Sequence, residues 1–399
     1  MDDGRRELPR PPRRIPKEAG SPEAAGARTA IQPRPAVAAQ SQRPPRRPWI
    51  RFLLPLIVFV LVVGAGGGWL VRAASLSLDA AKVLQAGGPT VVRVLATTCN
   101  GTGQASGLLL PGGRVLTTAS AVRRPVSIGV LTADGRVRRA NVLGTNASGI
   151  AVLQLLSRLD NQTAKLAPKL PDAKADRAII GYDQAGDQSV QQAGTAKQPR
   201  PLRDILDPGS LGAPMFDKSG QVIGLVAGDT VASSNVIGLD DLRQYAGPSA
   251  PITPEPLGTC PARGPQASVK PDLSVANTPL AGEVQQLLGA YLDALNRHDF
   301  LAMHATYSGR LATNDTEKDF VKAHGTSYAF GANITDVSAA GTGASARMTF
   351  TVLYSARNTA SKGQNCARLD LRYRLVREQD KLRIDQAASL GTDQSCDTD

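Results

Sequence analysis

The rhythm of apolar and polar positions changes repeatedly along the chain. Residues 1–48 carry almost no large apolar side chains and contain ten prolines. Such a stretch cannot bury enough surface to offset its ordering entropy, so residues 1–51 are expected to be a disordered, Pro-rich tail. Residues 52–71 then run for 20 positions without a charge, FLLPLIVFVLVVGAGGGWLV. At about 1.5 Å per helical residue that length spans the roughly 30 Å hydrocarbon core of a bilayer, which predicts a transmembrane helix over 52–72. Residues 88–245 read as short apolar runs separated by Gly, Asp and Asn turns. Expected strands are 90–95, 106–110, 115–118, 126–131, 137–143, 150–155 and 221–227, the pattern of an all-β barrel or sandwich. A helix opening at Asp240, with Leu242 and Tyr245 on its apolar edge, ends at Gly247-Pro248. Residues 248–278 are a Pro-rich linker. Beyond it Val284, Leu287, Leu288, Tyr291, Leu292 and Leu295 follow helical spacing, and Asp299 N-caps a second helix reaching Tyr307. Strands over 347–353, 367–376 and 381–386 follow, giving an α+β domain over 279–390 with a short tail, 391–399.

Charge sharpens the topology. The net charge is +12, of which residues 1–51 hold 12 Lys/Arg against 5 Asp/Glu. The basic excess thus belongs mostly to the tail, which argues against a folded nucleic-acid-binding face. Arg43, Arg46, Arg47 and Arg51 precede the apolar span and Arg72 follows it. The positive-inside bias places the N-terminus in the cytoplasm and everything after about residue 73 outside, anchored by a single pass. A cleaved signal peptide is the rival reading, but its apolar core would be shorter than this one.

All four cysteines, Cys99, Cys260, Cys366 and Cys396, lie beyond the span, where an oxidising compartment favours two disulfides. Three pairings are open. Cys366–Cys396 is favoured, because the short tail has nothing else to hold it, with Cys99–Cys260 tying the linker back to the first strands. No C-x-x-C or Cys/His spacing points to metal, and no cofactor is expected. The histidines are His298, His304 and His324, all in the last third.

Several stretches of the β region come in a recognisable order. They are Ala105-Ser106-Gly107-Leu108-Leu109-Leu110, Val115-Leu116-Thr117-Thr118-Ala119-Ser120-Ala121-Val122, Gly149-Ile150-Ala151-Val152-Leu153, Gly209-Ser210-Leu211-Gly212-Ala213-Pro214-Met215-Phe216-Asp217 and Gly220-Gln221-Val222-Ile223-Gly224. Together they resemble the trypsin-like serine proteases of the HtrA type, a double-barrel fold, over about 160 residues. The resemblance implies a trypsin-like domain over 75–247. It also puts the general-base histidine at Ser120, the orienting aspartate at Gly149 and the nucleophile at Leu211. That mechanism needs an oxygen nucleophile, an imidazole and a carboxylate, and none of the three positions supplies its group. Ser210 stands one position early, and a Ser210–Lys218 dyad is disfavoured because Lys218 falls in an exposed turn. The cluster Gly101-x-Gly103-x-x-x-Gly107 has the wrong spacing for a dinucleotide loop and leads into a strand.

The segment Tyr291-Leu292-Asp293-Ala294-Leu295-Asn296-Arg297-His298-Asp299-Phe300, followed by strands, resembles the NTF2-like (SnoaL-like) cone, which implies a small apolar ligand pocket. His298 and Asp299 are expected to be helix-end groups, and His304 is the histidine able to point inward. The expected protein is a membrane-anchored, extracytoplasmic pseudoprotease that binds a peptide or cell-envelope partner. An active membrane-anchored endopeptidase and a small-ligand sensor using the C-terminal pocket are the alternatives.

Overall fold

The computed structural model describes residues 77–157, 160–358 and 363–396. The tail, the apolar span 52–72 and the last three residues lie outside the described residues. Among those described, no helix is long and apolar enough to cross a membrane.

Helix α1 (Ala80–Gly87) is N-capped by Asp79, whose side chain accepts from the Ala81 and Lys82 N–H groups. It leads into β1 (Val91–Thr98), β2 (Gln104–Leu110), β3 (Arg114–Thr118), β4 (Pro125–Leu131), β5 (Val137–Thr145) and β6 (Ile150–Leu155). These close an antiparallel barrel in the order β1-β2-β3-β6-β5-β4. The strands read as nearly continuous apolar runs because both faces are buried. Val92, Val94, Leu109, Val115 and Leu153 fill the barrel, while Val91, Leu108, Leu116 and Ile150 pack outward on the second half.

That second half comprises β7 (Arg177–Tyr182), β8 (Gln188–Gly194), β9 (Pro214–Phe216), β10 (Val222–Ala227) and β11 (Asn235–Gly238), followed by α2 (Leu239–Ala246). Its order is β11-β10-β9-β7-β8, and β8 and β11 do not pair. The first expected barrel is therefore closed and the second is an open sheet. Its middle strand, β9, runs for three residues and begins with a proline that has no N–H to give.

The Pro-rich segment 248–278 is a strap rather than a loose tether. Thr253 and Thr145 exchange two main-chain hydrogen bonds of 2.8 and 2.9 Å, and Arg263 and Thr98 exchange two more of 3.0 and 2.9 Å. The Glu255 carboxylate accepts from the Arg124 N–H at 2.9 Å, and a disulfide joins Cys260 to Cys99. Prolines cannot donate to a ladder, so the strap is tied at isolated non-proline positions.

After the strap come β12 (Asp272–Leu273), α3 (Pro279–Arg297), α4 (Phe300–His304), α5 (Gly309–Ala312), α6 (Glu317–His324), β13 (Tyr328–Ala340), β14 (Gly343–Leu353), β15 (Cys366–Glu378), β16 (Lys381–Ser389) and β17 (Gln394–Ser395). Thr278 caps α3, Pro279 occupies its first turn, and His298 ends it in the left-handed conformation. Val284, Leu288, Leu292 and Leu295 bury against Ile334, Met348, Phe350 and Leu375 of the sheet. The Asp299 cap is as expected, but α4 stops at His304, short of Tyr307. Cys396 is bonded to Cys366. Both disulfides thus have the favoured pairing.

Candidate functional site

The positions singled out by the protease resemblance meet where the two β halves face each other. Ser120 follows β3 in a single 3-10 turn and is 4 % exposed. Its hydroxyl donates to the Gly228 carbonyl at 2.8 Å. Thr118 Oγ1 donates to the same oxygen at 2.9 Å. The group standing at the general-base position is therefore a short hydroxyl bonded to the chain just after β10, with pKa chemistry far from that of an imidazole.

Gly149 precedes β6 at φ +83°. Its carbonyl accepts from the Ala119 N–H at 2.7 Å, which ties it beside position 120, and no carboxylate is there. Space for a Cβ exists, the nearest atoms being 3.8 and 3.9 Å away. The obstacle to a side chain at 149 is its backbone conformation, which L residues adopt at a cost of about 1–2 kcal/mol.

Leu211 is 3 % exposed and packs with Ile205, Ala213, Val226 and Leu239 in the interior of the second half. It offers no nucleophilic atom. Gly212, at φ +84°, must be glycine, since a Cβ would lie 2.2 Å from the Ser106 carbonyl. Ser210 Oγ donates to the Tyr182 carbonyl at 3.0 Å within the interior. Lys218 sits exposed on the Asp217–Gly220 turn. The fold gives Ser210 a structural role and does not bond it to Lys218.

A feature that sequence reasoning missed lies just upstream. Asp207 caps the 3-10 turn Pro208–Ser210, and its carboxylate accepts from the Gly209 N–H at 2.8 Å. The Leu211 N–H donates to the Pro208 carbonyl at 3.3 Å. In a trypsin-like mechanism the N–H groups at these two positions would stabilise the oxyanion. Here both are engaged within the turn. The Asp-Pro-Gly-Ser string is the signal that was available, because Asp before Pro-Gly favours a self-bonded turn.

Beside this turn opens a cleft of about 520 Å³, lined among others by Gln104, Gln184, Leu211, Val231, Pro265 and Gln266. Its lining is largely apolar and amide. The charged side chain in it, Asp229, is ion-paired with Arg123.

The C-terminal α+β part holds a separate cavity of about 180 Å³ between α3, α6 and the sheet, touching Tyr291, Leu295, His324, Phe350, Leu371 and Asp393. His304 does not point there; its Nε2 bonds the Ala312 carbonyl at 2.8 Å. His298 Nε2 likewise bonds the Ser327 carbonyl at 3.0 Å, and Asp299 accepts from the Ala302 N–H. The histidine of the cavity is His324, which helical spacing alone did not distinguish. Burial pushes its imidazole down to about 4, with the nearby His298 adding to the effect. Folded His324 is thus neutral where unfolded histidine, titrating near 6.5, already binds a proton. The unfolded chain takes up more protons between about pH 6.5 and 4, so the linked stability is lost as pH falls through that window. The shift corresponds to roughly 3 kcal/mol at its full extent. Urea unfolding at pH 7 and 4.5 is expected to show this loss, and His324→Gln to flatten it. An unchanged pH dependence in the variant would contradict the assignment. Among the described residues no cluster of His, Cys, Asp and Glu is arranged to hold a metal ion.

Comparison with known proteins bears on the β halves. A crystal structure of Rv3671c from M. tuberculosis, an inactive serine-to-alanine mutant, shares 22 % identity, covering 42 % of this chain and 92 % of its own, with a TM-score of 0.34. The active form of the Rv3671c protease shares 21 %, covering 44 % and 87 %, with a TM-score of 0.37. No curated protein matches the chain. The family model of the trypsin-like peptidase domain matches residues 105–225. The two facing β halves therefore contain a trypsin-like peptidase fold, set within a longer chain.

Proposed function

We propose that the chain is a membrane-anchored pseudoprotease whose trypsin-like cleft binds an extracytoplasmic peptide or envelope protein without cutting it. The observation that carries this reading is the state of the turn 207–211. Leucine stands at the nucleophile position, and both main-chain N–H groups that would stabilise the oxyanion are engaged, one by the Asp207 carboxylate. Peptide recognition needs neither, since a bound segment is held by main-chain edges and side-chain pockets. The anchor is residues 52–72, and two disulfides are in keeping with an extracytoplasmic site.

The test exposes the full chain to unfolded casein, to a serine-directed fluorophosphonate and to a pool of end-capped, uncharged decapeptides. Peptide retention with no hydrolysis and no labelling is expected. Turnover or labelling that disappears on changing Ser210 or Lys218 would overturn the reading and favour an active endopeptidase.

The 180 Å³ C-terminal cavity, with its buried His324, favours a second reading, an NTF2-like small-ligand sensor. Its volume lies below the roughly 300–1,000 Å³ of most small-molecule sites, which ranks it second.

A further inference from the structure

The cleft beside Leu211 has two walls of different origin. One is the loop after β10, where the main-chain N–H groups of Asp229, Val231 and Ala232 and the C=O groups of Asp229 and Ala232 have no hydrogen-bond partner among the described residues. The other is supplied by the strap, where Gln266 and Ala267 likewise leave their main-chain N–H and C=O groups unpaired. Asp229, Ala232 and Gln266 are exposed and Val231 and Ala267 half-buried, so these groups are open to a ligand.

The strap wall is fixed from both sides. Cys260 is bonded to Cys99, and Arg263 pairs with Thr98. Gly264 lies flush on the ring of Tyr328 in β13, where a Cβ would come within 2.3 Å of the ring. Pro265 packs against Gly103, just before β2, where a Cβ would come within 3.1 Å of it. A wall so held is preorganised, which lowers the ordering cost of binding.

We propose that the cleft is a composite peptide site. An uncharged, extended segment lies between the 229–232 turn and the 266–267 stretch of the strap and hydrogen-bonds to both. This rests on the peptide-binding reading above. Successive N–H groups of an extended chain point to opposite sides, so a peptide between two edges uses both of its registers, whereas a peptide on one edge uses one. Its lack of charge follows from the lining, in which the Asp229 carboxylate is already neutralised by Arg123.

The test uses a decapeptide retained from the uncharged pool and the full chain. Two versions are made, N-methylated at two central odd positions or at two central even positions. Each is expected to bind at least tenfold more weakly than the parent, because each loses main-chain donors to one wall. Loss in one register with full affinity in the other would overturn the composite site while leaving peptide binding intact. Retention of no peptide from the pool would overturn peptide binding itself, and the composite site with it. Ala267→Pro removes a strap N–H that would donate to a peptide carbonyl, and is expected to weaken the parent peptide severalfold and, of the two N-methylated versions, to weaken the one that has lost its bonds to the loop and to spare the other. Equal weakening of both would contradict the assignment of that register to the strap.

Discussion

Restoring all three triad residues at once, by Leu211→Ser, Ser120→His and Gly149→Asp, is expected to leave casein hydrolysis at background. Single restorations fail because triad members act as a unit. Leu211→Ser alone has no base beside it, and Ser120→His alone has nothing to deprotonate. The triple variant meets three further obstacles. An aspartate in place of Gly149 would have to adopt a φ near +83°. An imidazole in place of Ser120 would displace a hydroxyl that is bonded to Gly228 at a position only 4 % exposed. The Gly209 N–H would still face the Asp207 carboxylate. An oxyanion donor lost from a working site costs roughly 10²–10³ in rate, and here both are engaged. A carboxylate held at one of them also repels the developing negative charge. Adding Asp207→Ala frees the Gly209 donor, so any turnover is expected to emerge in the fourfold variant first. Hydrolysis by the triple variant with Asp207 in place would contradict this account of the turn.

The disulfides carry the second large effect. Cys99–Cys260 spans 161 residues and Cys366–Cys396 spans 30. In the chain-entropy model these closures remove unfolded-state freedom worth roughly 5 and roughly 4 kcal/mol respectively. Paired Cys→Ser changes are expected to lower the urea midpoint in that order. The first pair has a second consequence, since the strap would keep its hydrogen bonds at Thr253 and Arg263 but lose its covalent tie beside the cleft. Peptide affinity is therefore expected to fall in Cys99→Ser/Cys260→Ser and to hold in Cys366→Ser/Cys396→Ser. Equal affinity in both would contradict the part given to the strap.

What could be read from the chain follows from where local pattern and tertiary context agree. The strands of the first barrel were legible because their apolar runs are bounded by Gly-rich turns. Helix α3 was legible because Val284, Leu288, Leu292 and Leu295 form one stripe. The 13-residue strand β13 was not, because irregularities after Phe330 and after Ile334 shift its register and break the two-residue alternation. The strands Arg177–Tyr182 and Gln188–Gly194 also escaped, the latter because its Gln-rich sequence carries little apolar signal. Proline content marked 248–278 as non-ladder chain but not as a strap, since its ties are isolated bridges to residues more than a hundred positions away. The positions Ser120, Gly149 and Leu211 came from the order of motifs. The self-bonded turn 207–211 was signalled by Asp207-Pro208-Gly209, but that its carboxylate takes the N–H of an oxyanion position needed coordinates.

The most direct measurement of the central claim is mass spectrometry of the uncharged decapeptide pool after prolonged equilibration with the full chain. The account predicts that peptides are retained and recovered at full length. Accumulation of fragments sharing one terminal residue would show that the cleft cuts what it binds, and would contradict it.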